Sequence, residues 1–399
     1  MSDNSTRLAS ATTYSNAINQ LTGRQAEMAK LQEQMAASKK VLRPSDDPTG
    51  AAQAERAATR MARISTDQRA LELQRNSVST AESTLGDAVT AIQSFRTLVV
   101  QAGNSTLSAA DRISLAQQMT ALRNQILGYA NSKDTSGQPL FGGLGSTDAP
   151  FVDTPAGVTY DGIGGQNATS AVAVPSTLDG QATFMDVPTG NGVFAIAQAA
   201  GTTGVWTDSG QVTDPSAITG HGYRIEFAVA NGATTYSVID TTTQAAVKTA
   251  QPYTAGQAIQ FDGLSINASG TPANGNALSL TPSGKTSLFG VLDAAIAGIR
   301  SSTGGVLSQN VATALTQIDA GLSRVSSSRG HAGELLNQVD NITERQSSRT
   351  IQLESDRSRA EDLDMVKALS DFQTQQTAYS AALGSYAQIQ KLSLFNFIN

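Results

Sequence analysis

Ile64, Leu71, Val78, Leu85, Ile92 and Val99 stand seven residues apart without a break. An apolar period of 3.5 residues sustained this long commits a segment to a helix whose seam other helices must cover. Ala81, Ala88 and Phe95 fill the companion positions. Near the other end, Val311, Leu315, Ile318, Leu322, Val325, Arg329, Ala332, Leu336 and Val339 follow the same four-three spacing with one charged interruption, and Leu115, Met119, Leu122, Ile126 and Tyr129 repeat it. These runs predict a mainly α fold: an elongated coiled-coil bundle formed by the N- and C-terminal segments, with a β-rich domain inserted between them.

The helix boundaries follow from the breakers. Residues 12–37 read as a first helix with Tyr14, Ile18, Leu21, Met28 and Met35 on the seam and Gln25 and Gln32 at its remaining positions, a composition too polar to hold the helix alone. Pro44 and Pro48 push the residues before them out of the helical region. Asp47 then fits an N-cap with Pro48 as first helical residue. Gly103-Asn104 ends the long helix, and Ser108 to Asp111 reads as a capping box for the next, which runs to about Ala130.

Between residues 141 and 283 the period changes to two. Tyr223, Ile225, Phe227 and Val229 lead into Asn231-Gly232 and out through Tyr236 and Val238, which predicts a hairpin with a type I′ turn. Ile259 and Phe261, Asp262-Gly263, then Leu264 and Ile266 predict a second. Helix returns with Leu288, Leu292, Ile296 and Ile299, and breaks near 301–305. The last helix carries the stripe Tyr379, Leu383, Tyr386 and Ile389 and ends in Leu392, Leu394, Phe395, Phe397 and Ile398, apolar enough to call for a partner. The expected division is 1–43 with 355–399 as paired terminal helices, 44–140 with 284–354 as a helical bundle, and 141–283 as the β-rich domain.

Composition narrows the function. Charged residues make up 15% and aromatics 5%, so cores are built from small side chains and depend on neighbours for full burial. A net charge of −6 without a basic cluster disfavours nucleic acid and anionic membrane surfaces. The absence of cysteine removes disulfides and thiolate chemistry. Met1 to Tyr14 is polar, which predicts a cytosolic chain or export by a route that cleaves no signal. His221 and His331 lack the clustering of a zinc site and read as polar surface residues. Gly142-Gly143-Leu144-Gly145 and Gly162-Ile163-Gly164-Gly165 match no nucleotide-binding pattern. Asp46-Asp47 read as a helix cap, and Glu361, Asp362 and Asp364 as a solvated face. No catalytic, cofactor or metal residues are predicted. Trp206, Tyr223 and Tyr236 are the aromatics a sugar site could use, so a glycan-binding adhesin or an enzyme in the β domain stays open as an alternative.

The chain also resembles a known family. Gln25, Leu31, Gln34, Met35 and Ser38, then Leu42-Arg43-Pro44-Ser45-Asp46-Asp47-Pro48 and Ala51-Ala52, together with Asp371-Phe372-Gln373, Gln376-Thr377-Ala378-Tyr379 and the ending Leu392 to Ile398, resemble the flagellin-like axial proteins of the bacterial flagellum. The resemblance covers roughly residues 1–140 and 285–399. The Pro44 to Pro48 turn is similar to the members that join hook to filament, whereas filament subunits carry a different acidic, alanine-rich turn; a flagellin-type filament subunit is the nearest alternative.

That resemblance implies an extracellular structural protein that forms a ring with itself in the flagellar axis. It implies contact with the first hook-associated protein on one side and flagellin on the other, type III export, and a cytoplasmic chaperone at the C-terminal helix. One departure is Lys39, which follows Ser38 where the family has glycine and predicts a first helix without a left-handed end.

Overall fold

The computed structural model describes residues 3–398 except 105 and 146, with side chains for 12 and 14–388. Six long helices flank the strands: α1 (Asp3–Ala37), α2 (Pro48–Ala102) and α3 (Ala109–Ala130) before them, α4 (Leu288–Ser301), α5 (Gly304–Glu361) and α6 (Met365–Ile398) after. The strands are β1 (Phe151–Thr154), β2 (Gly157–Tyr160), β3 (Val187–Pro188), β4 (Phe194–Gln198), β5 (Val205–Thr207), β6 (Gln211–Val212), β7 (Tyr223–Ala230), β8 (Ala233–Asp240), β9 (Ala246–Pro252), β10 (Ala258–Phe261), β11 (Leu264–Gly270), β12 (Ala277–Pro282) and β13 (Lys285–Thr286). The chain divides into two compact units, residues 1–68 with 343–399, and residues 69–342.

In the unit 69–342 the α2 seam is buried as its spacing requires. Val78, Leu85, Ile92, Phe95 and Val99 share one core with Ile318, Val325 and Ala332 of α5, each large side chain contributing about 1.5–3 kcal/mol relative to exposure. Ion pairs Arg75–Asp340, Glu82–Arg329 and Arg96–Asp319 run down the seam's edges in antiparallel register. On α5 the expected seam holds at Ile318, Val325, Ala332 and Val339, but Ala314, Gly321 and Leu335 are buried where Leu315, Leu322 and Leu336 were expected, and Arg329 is exposed at the seam's edge, paired with Glu82. The Ser108 capping box forms in full, with Asp111 N–H donating to Ser108 Oγ and Asp111 accepting from the Ser108 N–H.

The block 141–283 does not share one core. Its first third packs into the helices: Phe141, Phe151, Leu178, Phe184 and Val187 join the helical core. Phe184 meets Phe141, Phe151 and Phe289 with ring centroids 5.5, 5.3 and 6.0 Å away. Asn131, the C-cap of α3, fixes β1 from both sides, its Nδ2 donating to Phe151 O at 2.8 Å and its Oδ1 accepting from Phe151 N–H at 2.9 Å.

The remainder is an antiparallel sandwich with one sheet in the order β4-β12-β7-β8-β9 and another in which β11 pairs with β10, β5 and β6. Alternation decides the faces: Tyr223, Ile225 and Phe227 point inward against Ile259, Phe261, Leu264 and Ile266 of the other sheet. Both expected hairpins form, with positive φ at Asn231 and Gly232 and at Asp262 and Gly263, as type I′ turns require. Tyr223 and Tyr236 are core residues, and Trp206 lies across Gly270 and Gly305, so these rings are used in packing.

His221 differs from the expected surface residue. Its Nδ1 lies 2.6 Å from Oδ2 of buried Asp240. Burial would raise the Asp240 carboxyl, but amide donors from Thr243 and Thr242 and the His221 ring hold it down at about 2. His331 is half-exposed beside Glu334 on α5, 3.7 Å away.

Candidate assembly interface

The unit formed by residues 1–68 and 343–399 pairs α1 with α6 in antiparallel register. Tyr14 and Tyr386 meet at 5.6 Å between ring centroids, and Arg24 Nη1 donates to Gln375 Oε1 at 3.3 Å. Among the described side chains, the half-buried and buried positions on α6 are Ala368, Phe372, Gln375, Ala378, Tyr379, Ala382 and Tyr386, a four-three repeat with Ala378 added beside Tyr379. On α1 they include Leu21, Arg24, Met28, Leu31 and Met35. This corrects the seam read from sequence: Gln25 and Gln32 are exposed, and Arg24 and Leu31 take their places. A shift by one residue keeps the spacing, covers Leu31 and leaves two amides in water. Ala368, Phe372, Gln375 and Ala382 were legible only as members of the same repeat.

Most of the seam is only half-buried, and several large apolar side chains lie off it. Val366 is 83% exposed, Leu369 52%, Leu383 43% and Ile18 40%. Leu369 and Leu383 stand fourteen residues apart, two heptads on one face. Of the residues singled out from sequence, Leu21, Met28, Met35, Tyr379 and Tyr386 lie on the paired faces, Tyr14 is exposed but keeps its ring contact with Tyr386, and Ile18 and Leu383 are exposed. The side chains of Ile389, Leu392, Leu394, Phe395 and Phe397 lie outside the described residues.

The Pro44 to Pro48 turn ties the base of this pair together. Asp46 accepts from Leu42 and Arg43 N–H and pairs with Lys30 at 3.0 Å; the Lys30 ammonium and those amides hold its carboxyl below the usual carboxylate range. Asp47 caps α2 through bonds from Thr49 and Gly50 N–H to its Oδ1 at 3.0 and 2.9 Å. Pro44 and Pro48 line, with Val41, Leu42 and Ala51, a shallow groove on this turn.

The first helix does end in a left-handed residue, contrary to what Lys39 implied. Ser38 takes φ 55, its N–H donates to Met35 O and the Lys39 N–H to Gln34 O, the bond pattern of a Schellman stop with serine at the glycine position. Long-range backbone pairing holds it there: Lys40 N–H donates to Glu361 O at 2.8 Å and Leu363 N–H to Ser38 O at 3.1 Å. Glu361 is likewise no solvated carboxylate, being largely buried against Lys39 and Arg357. Asp364 caps α6 by accepting from Val366 and Lys367 N–H.

Residues 8–146 match the bacterial flagellin N-terminal helical region and residues 315–398 the bacterial flagellin C-terminal helical region, together more than half of the chain. The chain belongs to the flagellin family.

Within that family it is similar to flagellar hook-associated protein 3 of Escherichia coli, 26% identical over 388 residues that span 96% of each chain. It is also similar to flagellar hook-associated protein 3 of Salmonella typhimurium, 39% identical over 145 residues, 36% of this chain and 46% of that one. Among solved structures, the flagellar hook-associated protein-3 of Legionella pneumophila superposes with a TM-score of 0.71 at 29% identity, covering 75% of this chain and 97% of that one. These relatives are structural flagellar proteins. Among the described residues of the present chain no cluster of three or more His, Asp or Glu is placed to hold a metal, and no helix is long and apolar enough to cross a membrane.

Proposed function

We propose that this flagellin-family chain is a structural protein that joins hook to filament in the extracellular bacterial flagellum, acting by assembly and not by catalysis. The observation that carries this reading is the incomplete burial of the α1–α6 pair: most of its seam positions, Leu21, Met28, Leu31, Phe372 and Tyr379 among them, are only half-buried, while Val366, Leu369, Leu383 and Ile18 remain exposed for neighbours to cover. Copies of the chain form a ring in which residues 1–43 and 355–399 build the inner tube. Residues 44–140 with 284–354 form the surrounding bundle, and the β-rich residues 141–283 face outward. One end of the ring meets the first hook-associated protein and the other meets flagellin. Export proceeds through the flagellar type III apparatus, with a cytoplasmic chaperone on the C-terminal helix beforehand. The names of the relatives and the Pro44 to Pro48 turn support the junction over a filament subunit.

Ordering a helix costs about 1–2 kcal/mol per residue in backbone entropy, and a seam left half-buried returns only part of it, so the terminal pair gains its full stability on assembly. Two experiments test this. Hydrogen exchange on the purified monomer should be fast at residues 12–37 and 365–388 and slow at 71–99 and 311–339; equal protection would remove assembly-coupled folding. Leu383→Asp should leave monomer melting unchanged and abolish filament attachment in cells, and cells that carry this variant and still grow normal filaments would refute the interface. A filament subunit would instead polymerise alone into long filaments.

A further inference from the structure

The sandwich leaves and re-enters the helical core through one pair of strands. Val187-Pro188 of β3 pairs with Lys285-Thr286 of β13, and beyond it Thr189 N–H donates to Gly284 O at 3.0 Å and Gly284 N–H to Thr189 Oγ1 at 2.8 Å. A two-stranded ribbon twists and bends easily, so this stalk alone would leave the sandwich free to swing.

A second attachment lies far from the stalk in sequence. Edge strand β5 has its free side toward the first turns of α5, where Gln309, 4% exposed, accepts through Oε1 from the Thr207 N–H at 2.7 Å and the Thr207 hydroxyl at 3.2 Å. The Gln309 Nε2 donates to Thr313 Oγ1 at 3.2 Å, which fixes the amide so that its oxygen faces the strand. Thr207 is 2% exposed, so without this acceptor its N–H would be buried and unpaired.

Beside it the Trp206 indole lies across two glycines. A Cβ on Gly305, in the first turn of α5, would stand 2.7 Å from Trp206 Cε3 and 2.8 Å from Thr203 O; one on Gly270 would stand 2.5 Å from Trp206 Cζ3. The ring fits only because both positions lack a side chain.

We propose that Gln309, Thr207 and the seat of Trp206 on Gly305 form a clamp that holds the β-sandwich in one orientation on the helical core, turning a two-strand tether into a rigid joint. The acceptor, the edge N–H and the glycine seat must coincide for the clamp to close, so it selects one orientation and excludes its neighbours. The clamp lies wholly within the unit 69–342.

The chain has no cysteine and one tryptophan, which makes the test clean. Nitroxide labels on Ala255→Cys in the sandwich and Ser326→Cys on α5 give the distance between the two parts by pulsed electron paramagnetic resonance, and Trp206 fluorescence reports the seat. The parent should give one narrow distance distribution. Gln309→Leu should widen it about twofold or more, shift Trp206 emission to the red and speed exchange of the Thr207 amide about tenfold. Gly305→Ala, which keeps the hydrogen bonds and blocks the seat, should also widen the distribution, and it decides the matter if Gln309→Leu unfolds the sandwich. An unchanged narrow distribution in Gly305→Ala, or in a folded Gln309→Leu, overturns the clamp and leaves the stalk as the rigid element.

Discussion

The Arg123 guanidinium holds the Asp293 carboxylate by two parallel hydrogen bonds, Nε to Oδ1 at 3.0 Å and Nη2 to Oδ2 at 3.1 Å. Its remaining face grips Asp153, with Nη2 to Oδ1 at 2.9 Å and a short bond from Nη1 to Oδ2. One side chain, 7% exposed, thus links α3 to α4 and to β1, with the Phe289 ring 6.0 Å away. Both carboxylates favour its protonated form, and Arg123 in turn lowers the Asp153 carboxyl.

Arg123→Ala should therefore destabilise the unit 69–342. Removing one partner of a buried pair costs about 3–5 kcal/mol, and because both carboxylates are more than a third exposed and can rehydrate, about 2–3 kcal/mol is expected. Arg123→Lys should recover less than half of that, since a single ammonium cannot fork onto two carboxylates. Denaturant midpoints at constant slope measure both.

Ser38→Gly should stabilise the end of α1. A serine with φ 55 bears about 1–2 kcal/mol of left-handed strain, and glycine relieves it while adding about 0.5–1 kcal/mol of chain entropy to the unfolded state. The net expectation is a gain of up to about 1 kcal/mol, read as slower exchange of the Lys40 and Leu363 amides that pair across this turn. Ser38→Val should move both in the opposite direction.

Gly180→Ala should be severe despite its ordinary helical φ. A Cβ there would stand 2.2 Å from Phe141 O and 2.9 Å from Phe151 Cζ, inside the aromatic cluster. Overpacking of a core costs about 1–3 kcal/mol, and contact with backbone places this site at or above the upper end. Thermal melting of the variant against Gly128→Ala, where nothing lies within 4 Å, separates the clash from helix propensity.

The sandwich should lose stability in acid through Asp240. Its folded pKa, about 2, lies below that of an unfolded aspartate near 4, so its contribution is complete above pH ~4 and disappears as pH falls through the folded value. Asp240→Asn should be less stable than the parent at pH 7, and the two melting curves should converge between pH ~4 and ~2. A gap that persists at pH ~2 would assign the difference to packing.

Local chemistry was enough to place most of the elements. The heptad of α2 stands in sequence as it stands in the core, because each apolar residue needs only a neighbouring helix of any kind to be buried; on α5 only Ile318, Val325, Ala332 and Val339 do so, the alternate positions shifting to Ala314, Gly321 and Leu335. The Ser108 and Asp47 caps and the two type I′ turns were legible for the same reason, since each is decided within four residues. Tertiary structure decided the rest. Which face α1 presents to α6, and hence Arg24 and Leu31 in place of Gln25 and Gln32, depends on the partner's surface. Ser38 accepts a left-handed conformation only because residues 361–363 pair with its flank. Phe141, Phe151 and Phe184 leave the β block for the helical core because Phe289 and α3 offer them burial there. Arg123 could not be matched to Asp153 and Asp293 from sequence, since 30 and 170 residues separate them and only the folded chain brings them together.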